Sequence, residues 1–481
     1  MNPFFSFVHN PNQSSTCTTS KHLCLIVTAA LLGAACDNGD GQQEHEASAH
    51  LLGSAIDDIA AQDLEIEMDE SLPAEIRALA PTWKWIGTNV AHPGDPEAAH
   101  RAMRDRQYQS GEITDLDARF APQEGKQQEG PRKDRPSSKW IAFNVTTGQE
   151  YEIELPAAVA DSLWEEADRR RMHGDSYQGD GSDYYVPGPE NSSSESGEAS
   201  VSVHIGPTNI SGTSRRQYGW SNAADTRTKR TDNTTFPWRA HGLLGGGFCS
   251  GVLVGRRHVL TAAHCLWDAV NETWFNTNFT PGAEGTSAPY GTSTPIWYFT
   301  PSEWRNNNQP FEFDYGILAT TGWPADATGS LGYVYTSIDD LNDTCESVLR
   351  AGCDNRGYPV CSDSGITNRP ASCSSIPTAE KNKWAYQDTN RCKIGSFFTM
   401  GSDGFNSIMT ASCDMSAGHS GSPMDTYWNS VFGHVVLGVG SYEICTTCSS
   451  GENYPNRFRR MTRNVANAID YLRFTQAETK E

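Results

Sequence analysis

Three short strings in this chain carry side chains that could act together. The first, Cys249-Ser-Gly-Val-Leu-Val-Gly-Arg-Arg-His-Val-Leu-Thr-Ala-Ala-His264-Cys265, ends in a histidine. Fifty residues later, Phe311-Glu-Phe-Asp314-Tyr-Gly-Ile-Leu318 places one carboxylate ahead of an apolar run. A further 106 residues on, Gly418-His-Ser420-Gly421-Ser-Pro423 sets a serine between glycines. A serine hydroxyl is a weak nucleophile until a base takes its proton, and imidazole is the usual base. A buried carboxylate facing the imidazole satisfies its second nitrogen and fixes the tautomer. Each string alone has a plain structural reading: a core histidine, an aspartate at a strand edge, a Gly/Ser surface loop. Together they have the residue types for acyl transfer.

Those side chains need rigid elements beneath them. Gly251–Val254 and His258–Thr261 are β-branched and apolar, and read as two strands. The second delivers His264 at its end. A Cys249–Cys265 bridge would hold the histidine loop still, as a general base requires. Asp314 opens a strand. Ser407–Cys413 and Val431–Tyr442 read as strands on either side of the serine. The glycines allow a tight turn that bares the hydroxyl and aims the N–H groups of Gly418 and Ser420 at one point, an oxyanion hole.

Thr261-Ala-Ala-His-Cys265, Asp314-Tyr-Gly-Ile-Leu and Gly418-His-Ser-Gly-Ser-Pro, in this order, resemble the chymotrypsin/trypsin family of serine endopeptidases. The Gly-x-Ser-Gly-Ser-Pro form is similar to the bacterial, glutamyl endopeptidase-like branch, as is Phe236-Pro-Trp-Arg-Ala ahead of a Cys-Ser-Gly strand. The resemblance runs over roughly 222–473. It implies an all-β fold of two antiparallel six-stranded β-barrels with the site between them and a C-terminal helix. It also implies His264 as base, Asp314 as its orienting partner, Ser420 as nucleophile, Gly418 and Ser420 as oxyanion donors, and Gly438–Ser441 as the strand that pairs with substrate. Arg463–Thr475 matches the terminal helix, with Thr462 as N-cap and Val465, Ala468, Ile469 and Leu472 on one face.

The chain departs from the family's pattern at two positions. Trypsin-like zymogens carry an aspartate before the nucleophile to bind a newly freed N-terminus; here that position is His419, so that switch is missing. Glutamyl endopeptidases place a histidine on the following strand to bind the substrate carboxylate; the matching position is Gly440. Asp414, six residues before Ser420, falls where trypsin-like enzymes hold the aspartate that binds Arg or Lys. An open wall at Gly440 and a carboxylate at the pocket floor point to basic residues before the scissile bond, with a neutral or broad pocket and an acidic preference as the alternatives.

The remaining chain frames this domain. Of 481 residues, with net charge −22, the stretch 37–200 holds 34 acidic and 14 basic residues, whereas 201–481 holds 25 and 22. That balance argues against a nucleic-acid partner. Leu23–Ala35, preceded by Lys21, reads as an export signal over 1–36, too short for a comfortable membrane span. Leu-Leu-Gly-Ala-Ala-Cys36 resembles a lipobox, although Gly33 stands where a large aliphatic residue is preferred. A lipid on Cys36 would give membrane contact. Residues 37–173 read as an acidic pro-segment, with a loosely helical stretch over 57–79, short buried strands at Trp83–Ile86 and Trp140–Phe143, and a helix over Ala157–Arg171. Gly174–Ser200 is too polar to fold and reads as a linker. An activation region follows to about 221, and the protease domain occupies 222–481. The mature chain is expected to start between Gly206 and Arg230, with Arg215-Arg216 and Lys229-Arg230 as basic cut sites.

No cysteine falls between 37 and 248, and ten lie beyond. An even set confined to one region indicates disulfides in an oxidising compartment. Cys249–Cys265 and Cys392–Cys413 are expected pairs, the second bracing the nucleophile loop. Cys345, Cys353, Cys361 and Cys373 should pair among themselves in one of three ways, leaving Cys445 and Cys448. No cofactor or metal is implied. The leading function is a secreted or lipid-tethered, monomeric serine endopeptidase acting on proteins or peptides. The alternatives are a catalytically inactive binding protein on the same fold and a structural surface lipoprotein, the latter leaving the three strings unexplained.

Overall fold

The structure, a computed structural model, describes most of residues 62–99 and 226–398, together with 138–155, 186–187, 408–429, 433–442 and 456–475. The leader, the expected helix over Ala157–Arg171, Arg215-Arg216, Cys445 and Cys448 lie outside the described residues. The architecture is β-rich, as expected. Two ten-stranded sheets and one three-stranded sheet carry the chain, with the Arg463–Thr475 helix at its end.

Six strands of the first sheet come from the protease region: His241–Leu244, Cys249–Leu253, His258–Thr261, Phe279–Pro281, Pro295–Pro301 and Gly316–Thr320. They are short and apolar, and five of them are buried at every position. Among the described residues the sheet does not close on itself. Instead its Pro295–Pro301 edge continues into four strands of the acidic segment. Trp297 faces Asn144 and Pro301 faces Trp140 in an antiparallel ladder with Ser138–Asn144. Gln149–Leu155, Thr82–Thr88 and Leu64–Glu65 follow outward. Strands are present at both expected places and join the protease sheet rather than forming a unit of their own; Trp140–Phe143 is buried throughout, whereas in Thr82–Thr88 Trp83 alone is buried and Ile86 is exposed. Among the described residues of 57–79, Ala74–Arg77 is helical, whereas Leu64–Glu65 is a strand that pairs with Thr82–Trp83. The β-hairpin contacts outweigh a weak helical pattern.

The joint is apolar. Trp83, Trp140, Phe143 and Tyr151 are buried in one core with Tyr298, Phe299 and Trp274, and with Val465, Ala468, Ile469 and Leu472 of the terminal helix. Trp83 stands edge-on to Trp297 and Phe299, and its Nε1 donates to Tyr471 Oη at 2.8 Å. Burying aromatic side chains of this size is worth about 2 kcal/mol each. Ala91–His92 also pairs in parallel with Thr273–Phe275, in the loop that follows His264.

The second sheet runs from Ile394–Phe398 through Ile408–Ala411, Asn456–Arg460, Gly433–Tyr442, Pro423–Asn429, Asp354–Gly357 and Tyr386–Asp388 to Arg227–Lys229. It too stays open among the described residues. Four disulfides are present: Cys249–Cys265, Cys345–Cys353, Cys361–Cys373 and Cys392–Cys413. Of the three pairings left open by the sequence, the structure takes the one between nearest neighbours. No helix among the described residues is long and apolar enough to cross a membrane.

Candidate active site

His258–Thr261 pairs with Gly316–Thr320 in an antiparallel ladder, Thr261 opposite Gly316. That register sets the end of one strand beside the start of the other. His264 sits in the short 3-10 turn Ala263–Cys265, directly after its strand, and Asp314 follows the turn Phe311–Phe313, two residues before its own. Asp314 is thus a turn residue, not the first residue of the strand. Gly316 allows the approach: a Cβ there would lie 2.7 Å from Leu266 Cδ1.

The carboxylate of Asp314 is fully buried and engages three donors. Oδ1 accepts the backbone N–H of His264 at 3.0 Å. Oδ2 accepts His264 Nδ1–H at 2.9 Å and Ser441 Oγ–H at 2.6 Å. Because Nδ1 carries the proton in this bond, Nε2 is left with the lone pair. The ring is 3% exposed. Ser441 was expected only as part of a substrate-pairing strand, and its hydroxyl bond to Asp314 is not visible in the sequence.

Ser420 reaches the histidine loop through backbone packing. Its carbonyl accepts Ser250 N–H at 2.8 Å and lies 3.7 Å from Cys265 Sγ. The next residue explains the closeness. Gly421 has φ +80°, and a Cβ there would stand 2.1 Å from Thr261 Oγ1 and 2.3 Å from Ser250 O. Only glycine fits this joint between the two sheets. Gly418, at φ +94°, is pressed equally hard against Tyr358 O, at 2.3 Å from a notional Cβ. Ser250 Oγ donates to Gly418 O at 2.7 Å and accepts Tyr358 N–H at 2.9 Å. Ser250 therefore braces both ends of the nucleophile turn. A polar residue inside the apolar Cys249–Leu253 strand was the available signal for it.

The two positions expected to shape the pocket, Asp414 and Gly440, both make close contacts of their own. Asp414 Oδ2 accepts Thr226 N–H at 2.9 Å and Thr226 Oγ1–H at 3.2 Å, so its carboxylate is turned to the strand that opens the domain. Gly440 does not leave an open wall: a Cβ there would meet Met415 Cε at 2.7 Å, and the thioether fills the space. Gly440 N–H and C=O pair with Ser422 O and Gly421 N–H at 2.7 and 2.6 Å, locking the strand to the turn.

His419, before the nucleophile, is wholly buried. Burial, then the charge of Arg227, holds its pKa well below the ordinary histidine value, so the ring is neutral. One histidine–cysteine group, Cys249, His264 and Cys265, has ligand atoms within 4.8 Å of one another among the described residues. Its two sulfurs are bonded to each other and His264 Nδ1 is held by Asp314, so the set does not fit a metal.

The Trypsin family model matches residues 225–469, half of the chain. Over 117 residues the chain is 37% identical to the glutamyl endopeptidase of Bacillus licheniformis, covering 24% of this chain and 36% of that protein. Over 182 residues it is 30% identical to the extracellular metalloprotease of Bacillus subtilis, covering 36% and 55%. The chain thus spans from about a third to just over half the length of these curated relatives. Among solved structures, a Glu endopeptidase in complex with MPD aligns over 52% of this chain and 97% of its own, at 17% identity and TM-score 0.37. The protease Anisep from Arthrobacter nicotinovorans aligns over 52% and 100%, at 19% identity and TM-score 0.35. With the model matching across residues 225–469, which hold the His264, Asp314 and Ser420 strings, the chain belongs to the Trypsin family of serine proteases.

Proposed function

We propose that the chain is a serine endopeptidase, exported to the cell envelope or beyond, that cleaves proteins or peptides through an acyl-enzyme. The observation that carries this reading is the Asp314 carboxylate, buried and accepting His264 Nδ1–H at 2.9 Å. With that nitrogen committed, Nε2 is the site that takes the proton from Ser420 Oγ as the oxygen attacks the scissile carbonyl. The imidazolium that forms is stabilised by Asp314 and then protonates the leaving amine. Water repeats the sequence in reverse to free the acid. The N–H groups of Gly418 and Ser420 are assigned to the developing oxyanion; removing one such donor typically costs about 100- to 1000-fold. An inactive binding protein would have no need of a buried aspartate held by three donors.

Export is supported by the four disulfides, which persist in oxidising compartments, and by the leader. Lipidation of Cys36 and cleavage of the linker after the acidic segment belong to the same proposal. Residue preference moves away from a basic reader, since Asp414 is engaged by Thr226, and Met415 gives the region beside Gly440 an apolar filling. An uncharged side chain before the scissile bond suits that surface best.

The test is covalent labelling by a fluorophosphonate, read by mass spectrometry. Wild type should label at Ser420 and cleave a peptide library; Ser420→Ala should do neither. Wild-type protein that neither labels nor cleaves would sink the reading.

A further inference from the structure

The nucleophile turn of this chain lacks the aspartate that trypsin-like zymogens use to bind a freed N-terminus, so something else must set its shape. The Arg227–Lys229 strand supplies a candidate. It pairs with Tyr386–Asp388, Arg227 opposite Asp388, and thereby lies behind the 414–422 segment. Thr226 is tied to Asp414 as described, and its hydroxyl also donates to Asp388 Oδ1. Asp388 Oδ2 in turn accepts the backbone N–H of Asp414 at 3.0 Å. The strand is therefore registered against the turn before any long side chain is considered.

Arg227 then reaches inward. Its guanidinium, on a residue only 5% exposed, donates from Nη1 to Ser416 Oγ at 2.7 Å and lies 3.4 Å from His419 Nε2. Since the His419 ring is neutral, one nitrogen accepts and the other donates. Nε2 faces the arginine, and Nδ1 faces Asn355 Oδ1 at 3.3 Å. Asn355 Nδ2 continues the chain to Ser422 Oγ and Pro423 O, each at 2.8 Å. The contacts fall at Ser416, His419 and Ser422, spaced by three, and the backbone repeats the spacing: His419 N–H donates to Ser416 O at 2.9 Å, and Ser422 N–H to His419 O at 2.8 Å. Ser420 and its oxyanion donors lie on this short spiral. One buried cation thus holds the spiral at two points and, through Asn355, at a third.

We propose that Arg227 is the positioning residue of the nucleophile turn, its guanidinium doing from a side chain what a freed chain terminus does in trypsin-like zymogens. The polarity is preserved, a cation behind the nucleophile, but its partner is a neutral ring and a hydroxyl rather than a carboxylate. The cation is built into the strand, so turn order does not wait for a new amino group. Any cut that severed the chain beyond Arg227 would remove it. This inference rests on the serine-endopeptidase reading.

The experiment uses the full chain and four variants: Arg227→Met, Arg227→Lys, His419→Gln and the Arg227→Met/His419→Gln double. Fluorophosphonate labelling rate, kcat, KM and thermal midpoint are measured for each. Arg227→Met should lower kcat and labelling about 100-fold, the size of an oxyanion-hole lesion, with KM changed less than about threefold. Arg227→Lys, whose ammonium reaches Ser416 but cannot span both partners, should recover about tenfold of that loss. The double variant should be no worse than Arg227→Met by more than about threefold, because both residues act through one network. A wild type that labels while Arg227→Lys and Arg227→Met label equally fast would overturn the inference and leave the proposed function standing. A loss in the two Arg227 variants that lies in KM alone, or that multiplies with that of His419→Gln, would also overturn it. A wild type that never labels removes the proposed function itself.

Discussion

Asp314 illustrates how few atoms decide the chemistry. Its two oxygens take three hydrogen bonds, two from His264 and one from Ser441. Asp314→Asn presents an N–H where Oδ2 or Oδ1 now accepts, and forces the imidazole into the wrong tautomer. We expect kcat to fall about four orders of magnitude with the fold intact by circular dichroism. Asp414 invites a different expectation. Since its carboxylate holds Thr226, Asp414→Ala should leave the cleavage profile unchanged and lower stability by about 1–3 kcal/mol in urea unfolding. A switch from basic to neutral cleavage in that variant would restore it to the pocket. His241 is one group whose shift should make stability fall in acid. Burial, then the charge of Arg356, pushes its pKa down to about 3, and it lies 3.7 Å from the buried Asp425. The unfolded chain binds a proton at this residue below about pH 6.5 that the folded chain refuses until about 3. Stability from His241 is therefore full above pH 6.5 and falls as pH drops towards 3, by about 1.4 kcal/mol per unit at its steepest. His419 adds a loss in the same direction. His241→Gln should flatten the acid limb of a Tm-versus-pH curve; an unchanged limb would exclude His241 as its source.

At the scale of elements, the site depends on a glycine wedge and a registered strand. Gly421 packs against the ends of Cys249–Leu253 and His258–Thr261, with no room for a methyl group. Gly421→Ala should cost several kcal/mol and abolish labelling of Ser420, because strain at φ +80° adds to the clash. Much of this frame was legible in the sequence. His258–Thr261 and Arg463–Thr475 have the expected limits, since period and end signals agree there. Of the three strings, the first two meet as their residue types suggest, His264 against Asp314. What stayed hidden were contacts made across the fold: Ser250 under the turn, Ser441 on Asp314, Arg227 behind His419, Met415 against Gly440. No local pattern encodes a partner 190 residues away. The mature start should lie upstream of the Arg227–Lys229 strand. Lys229-Arg230 lies where the strand pairs with Tyr386 and where Arg230 N–H bonds Ala385 O at 2.9 Å, so a protease cannot bind that bond extended. N-terminal sequencing of the mature enzyme should find a residue upstream of Thr226.

For the whole molecule, the described strands of the acidic segment are part of the architecture. Residues 61–481 form one compact unit. Besides the β ladder and the shared aromatic core, Glu150 accepts Trp274 Nε1–H at 2.5 Å and Arg305 Nη1–H at 2.9 Å, with Arg305 stacked 3.9 Å from the Trp267 ring. Cleaving the linker breaks none of these. The segment expected to be removable should instead stay bound after the cut: the two fragments should co-elute in size exclusion, even in 1 M salt, and separate only in denaturant. Free migration of the acidic fragment in native buffer would contradict this.

The ladder at Pro295–Pro301 matters for handling the protein. Stripped of Ser138–Asn144, that strand would show a bare edge bearing Ile296, Trp297, Tyr298 and Phe299, with prolines only at its ends. Unpaired edges of this composition template self-association. A shortened chain starting near residue 222 should therefore give soluble aggregates by light scattering and bind amyloid dyes, and adding the acidic fragment during refolding should suppress both. The charge of −20 over 37–200 would then act as a colloidal shield over the stickiest edge of the protein.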